Sequence, residues 1–96
     1  MKTEFGEMKE VIVTPEMLNR YFFMNKTEIL VHLFLLSVCD SDRHVERNVC
    51  ALSRETETWR SDLYRALIEL STKSMVEEKK LKTKGGRFWR VYRLPR

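Results

Sequence analysis

The chain has 96 residues, 43% of them apolar and 33% charged, with three glycines and two prolines. That length accommodates one domain with one modest core, and that composition excludes a linker-rich or low-complexity chain. The net charge of +4 conceals a division: residues 79–96 carry eight basic side chains and no acidic one, whereas residues 1–78 carry ten basic and fourteen acidic, a net of −4.

Residues 1–13 read as a lead-in to a domain spanning 14–96, and Val11-Ile12-Val13 has the composition of a short strand. Thr14-Pro15-Glu16 then signals a helix start: a hydroxyl cap, proline at the first helical position and an acid in the first turn. Met17 and Tyr21, like Leu18 and Phe22, recur four apart, carrying this helix to about Phe23. Asn25-Lys26-Thr27-Glu28 opens a second helix in capping-box manner. Residues 29–36 are apolar on every side, and such a helix has to be covered all round. A domain this small covers only part of that surface itself. The remainder predicts a homodimer through Met17, Tyr21, Phe22, Leu30 and Phe34.

Asp40-Ser41-Asp42 offers a cap for a third helix, with Val45, Val49 and Leu52 on one stripe. After the polar connector Arg54-Glu55-Thr56-Glu57, Thr58 can cap a fourth helix over 59–71. Its stripe Trp59, Leu63, Ala66, Leu67 and Leu70 faces the core. Beyond Thr72-Lys73-Ser74 the period switches to two. Residues 75–83 and 87–94 then form a hairpin around Lys84-Gly85-Gly86.

The longest apolar stretch, residues 29–39, is well short of the ~20 needed to cross a bilayer. The N-terminus lacks the pattern of a signal peptide. No membrane association and a cytoplasmic location are therefore expected. Cys39 and Cys50 sit in apolar patterns, where buried free thiols are expected and a disulfide between them is the alternative. His32, Cys39, His44 and Cys50 match no zinc spacing, and no glycine-rich phosphate loop or nucleophile–base set stands out. No metal, no cofactor and no catalysis are expected.

The order helix, helix, polar connector, helix, hairpin resembles a winged helix-turn-helix domain. The stretch Ser61-Asp62-Leu63-Tyr64-Arg65-Ala66-Leu67-Ile68-Glu69-Leu70-Ser71-Thr72-Lys73-Ser74-Met75-Val76-Glu77 is similar to the recognition helix and first wing strand of MarR-, PadR- and TrmB-type prokaryotic regulators. Tyr92-Arg93-Leu94 is similar to their returning wing strand. Ser74 stands where those families usually have glycine, and the connector 53–57 lacks their usual glycine. The resemblance implies an α+β, mostly helical fold: a winged helix-turn-helix with an extra N-terminal helix and a C-terminal two-stranded wing. Compact domains of this kind resemble small archaeal, viral or mobile-element regulators.

The function implied is sequence-specific binding of double-stranded DNA by a dimeric transcriptional regulator that occupies an operator. With the apolar stripe of the recognition helix on the body, Thr58, Ser61, Tyr64 and Arg65 face outward, and Arg65 suits a bidentate contact to guanine. Lys82, Lys84 and Arg87 cluster at the glycine tip, where a wing meets phosphates or a minor groove. The alternative is a winged-helix protein–protein module in a transcription, replication or host–virus complex, with Trp59, Phe88 and Trp89 as anchors.

Overall fold

The computed structural model describes residues 10–85 and 87–95, with all side chains among them except those of 80–84 and 87–89. The elements are α1 (Pro15–Tyr21), α2 (Lys26–Val38), β1 (His44–Asn48), α3 (Val49–Glu55), α4 (Arg60–Thr72), β2 (Glu77–Lys84) and β3 (Arg87–Arg93). The strands form one antiparallel sheet in the order β1-β3-β2. Helices and sheet make an α+β architecture consistent with a winged-helix-like fold.

Local chemistry sets the helix starts. The Thr14 hydroxyl accepts from the Met17 amide ahead of Pro15. Asn25 and Glu28 complete a reciprocal capping box at 2.9 Å on both sides. Glu28 does a second job, because its other oxygen meets Lys73 Nζ at 3.2 Å and ties the start of α2 to the end of α4. Arg20 Nη1 donates to the Lys73 carbonyl, bringing α1 to the same corner.

The core lies between α2, α3, α4 and the inner face of the sheet. Val31, Leu35, Leu52, Leu63 and Leu70 are wholly excluded from solvent there, with Val45, Tyr92 and Leu94 closing it from the sheet side.

Several expectations need correction. Val11-Ile12-Val13 forms no strand, and residues 1–9 lie outside the described residues. The expected third helix is split. The Asp40 carboxylate accepts from the amides of Asp42 and His44, closing a turn instead of capping a helix. The chain then enters β1, which pairs with β3 from His44↔Arg93 to Asn48↔Trp89. Only at Asn48, whose side chain accepts from the Cys50 amide, does α3 begin. Cys39 is buried and free, its thiol directed at the Leu36 carbonyl, but Cys50 is exposed.

The dimer argument also changes. Nearly all of α2 is covered by the subunit itself, with Phe34 and Tyr21 in its core. Both are thereby withdrawn from any partner surface, and Met17 is half-buried against the same core. Phe22 and Leu30 remain exposed, joined by Leu18 and Phe23, which are not among the five residues of the expected dimer contact.

Candidate nucleic-acid interface

α3 and α4 are joined by a short turn that begins with a helix stop. The Thr58 amide donates to the Ser53 carbonyl and the Glu57 amide to the Arg54 carbonyl, with Glu57 at φ +52°. This is a Schellman motif. The same motif ends α4: Met75 donates to Leu70, Ser74 donates to Ser71, and Ser74 sits at φ +58°. Ser74, where the resembling families usually carry glycine, and Glu57, at the end of the connector that lacks one, thus take the left-handed backbone with side chains.

Within this turn Thr58 is not the cap of α4. It is half-buried, and its hydroxyl donates to the Thr56 carbonyl at 3.0 Å. Trp59 occupies the N-cap position without a side-chain capping bond and is 81% exposed. This differs from the core position that its spacing predicts: lying one residue before the helix proper, it leaves the stripe formed by Leu63, Ala66, Leu67 and Leu70.

On the opposite face of α4, Arg60, Ser61, Tyr64, Arg65 and Ile68 are all exposed. Arg65 points along the flank nearest α2, where it lines a small hollow with Asn25, Asp62 and Glu69. Tyr64 lies on the flank nearest the sheet, with the Arg90 guanidinium 5.3 Å from its ring centre. Arg90 is therefore the residue that joins α4 to the hairpin, and sequence reasoning missed it because the two meet only through the sheet. Ile68, 64% exposed in the middle of the outward face, was likewise left unassigned.

The hairpin runs from Glu77↔Arg93 to the closing pair Lys84↔Arg87, with Lys82 opposite Trp89. Gly85 turns it at φ +57°, a left-handed conformation that glycine adopts without cost. The side chains of Lys82, Lys84 and Arg87 lie outside the described set. Their backbone positions place the tip three residues along β3 from Arg90, about 10 Å at the usual strand rise. At the base of the hairpin, Glu78 meets Arg90 at 3.3 Å and Glu77 meets Arg93 at 3.0 Å. Beneath them the Tyr92 hydroxyl is buried beside Arg90, and burial pushes its pKa up to about 12.

A separate cavity of about 780 Å³ opens between α1, the end of α2 and the 40–43 turn. His32 lines it and shares a 2.5 Å hydrogen bond with the Tyr21 hydroxyl. Burial, with help from Arg43 and Arg20, lowers the imidazole pKa to about 4, so the ring is neutral. Among the described residues no cluster of His, Cys, Asp and Glu could hold a metal ion, and no helix is long and apolar enough to cross a membrane.

No protein-family model matches the chain, and no curated protein matches it at a significant level. Among solved structures, its fold is similar to that of a protein described as a possible transcriptional regulator from Methanosarcina mazei Go1. The TM-score is 0.63 at 16% sequence identity, over 93% of this chain and 74% of that one.

Proposed function

We propose that the chain is a winged helix-turn-helix protein that binds double-stranded DNA and regulates transcription as a dimer by occupying an operator. The observation that carries this reading is the Arg90–Tyr64 contact, which sets the outward face of α4 and the basic hairpin beside one another. Ser61 and Arg65 are then available to the major groove, Arg65 for bases and Ser61 for phosphate. Lys82, Lys84 and Arg87 supply sequence-independent attraction to the backbone. The acidic body orients docking through the basic end. The similarity to a protein described as a regulator supports the fold on which this rests. For the dimer, the candidate contact is Leu18, Phe22, Phe23 and Leu30, because Tyr21 and Phe34 are already enclosed.

A gel-shift titration on duplex DNA at increasing salt tests the reading. A dimer neutralising about six phosphates gives a slope of log K against log salt near −5. Duplex binding that is absent, or insensitive to salt, rejects it.

The second reading, a protein–protein module, draws on Trp59, Phe22 and Phe23, each more than four-fifths exposed. Large exposed aromatics are typical interface anchors. Partners captured through Trp59 that survive nuclease treatment and are lost on Trp59→Ala favour it.

A further inference from the structure

We propose that Glu78 is an internal competitor for the DNA backbone: its carboxylate holds Arg90 in the free protein and yields it to a phosphate in the complex. The inference rests on the DNA-binding reading and assigns the wing base a role in setting how tightly the protein grips any duplex.

Residues 79–96 contain no acid, so Glu77 and Glu78 are the last acidic groups before the basic hairpin. Each engages an arginine across the β2–β3 ladder, yet the two pairs differ in position. Glu78 lies opposite Tyr92, and Arg90 lies two residues along β3 on the same face, the face that meets the helices. Arg93 lies opposite Glu77 on the other face. Only the Glu78–Arg90 pair stands against α4, where Tyr64 fixes the guanidinium from the side.

The electrostatics favour exchange. The side chains of Arg90 and Glu78 are 30% and 45% exposed, and ion pairs at that exposure contribute little to folding. A phosphate offers the same planar guanidinium two oxygens, as the carboxylate does, and can take its place. Arg90 also stands directly opposite Arg47 on β1, and each of the two cations has its own carboxylate, Glu55 at 3.8 Å from Arg47 and Glu78 at 3.3 Å from Arg90. Because Tyr64 and the strand hold Arg90 in place, the swap needs no movement of either element. Without Glu78 the same arginine stays at the helix–wing angle as an uncompensated charge.

Duplex binding by wild type, Glu78→Gln, Glu77→Gln and Glu78→Gln/Arg90→Gln, on random-sequence DNA across a salt series, tests the proposal. Circular dichroism verifies the fold of each variant. Glu78→Gln is expected to tighten binding about 3–10-fold at low salt with the salt slope nearly unchanged, because the same phosphates are neutralised in both complexes. Glu77→Gln is expected to change binding less than half as much. In the double variant the gain disappears. Equal gains from Glu77→Gln and Glu78→Gln, or a gain that persists without Arg90, overturn the inference while leaving wild-type DNA binding intact. A wild-type chain and a Glu78→Gln variant that both fail to bind at any salt remove the DNA reading and this inference together.

Discussion

α2 and α4 each have 13 residues, yet they are used in opposite ways. α2 is enclosed by the subunit on most of its circumference, including the polar side chains of Glu28, His32 and Ser37. α4 buries only Leu63, Ala66, Leu67 and Leu70 and leaves its other face in water. The difference separates stability from surface: α2 carries the fold, and α4 presents a face that the fold only has to hold still.

Truncations on the two helices sharpen the contrast most. Leu35 has no exposed surface, so Leu35→Ala is expected to cost about 2–5 kcal/mol in urea unfolding, by loss of transfer free energy plus a cavity. Ile68→Ala, at a site 64% exposed, is expected to stay within about 0.5 kcal/mol. Comparable losses would mean that α4 is packed against something on its outer side.

The buried imidazole of α2 gives the next effect. Burial holds the His32 imidazole at about 4 in the folded chain, below its ordinary value of 6.5. The unfolded chain therefore takes up a proton on acidification before the folded chain does. The stabilising contribution is full above pH 6.5 and is lost as pH falls toward 4. At about 1.4 kcal/mol per pH unit this amounts to up to ~3 kcal/mol. Stability measured between pH 7 and pH 4 is expected to fall for wild type and to fall less for His32→Gln. Parallel curves would place the imidazole in water.

On the α4 side, Arg65→Ala is expected to cost about 1–3 kcal/mol on a preferred duplex and much less on random DNA, measured by competitive binding. An equal loss on both would assign Arg65 to phosphate instead of bases.

The contrast between the helices also marks how far sequence carries. α1, α2, α4 and the hairpin were legible because their caps, periodicities and glycine turn are local signals. β1 was not: Val45, Val49 and Leu52 fit a helical stripe, and the strand exists only because β3, some 45 residues later, supplies its hydrogen bonds. The outward residues Ser61, Tyr64 and Arg65 followed from the helical period, but Thr58 did not, because its hydroxyl is consumed within the turn. Arg90 could not be found from sequence at all, since its place over Tyr64 depends on β3 being the central strand.

The smallest effect concerns the two helix ends. Glu57 and Ser74 are not glycine, yet both adopt the left-handed backbone and complete the hydrogen bonds that glycine would allow. A side chain in that conformation costs about 1–2 kcal/mol. Glycine removes that strain but gives back roughly 0.5–1 kcal/mol as extra freedom in the unfolded chain. Ser74→Gly is therefore expected to stabilise the protein by about 0.5 kcal/mol, seen as a higher urea midpoint at unchanged slope. Gly85→Ala supplies the reverse measurement. Gly85 has φ +57°, and an added Cβ meets no atom within 4 Å among the described residues, so the loss expected there is backbone strain. Opposite signs for the two variants attribute both to the same torsional cost; a destabilised Ser74→Gly would instead show that the serine side chain holds the turn.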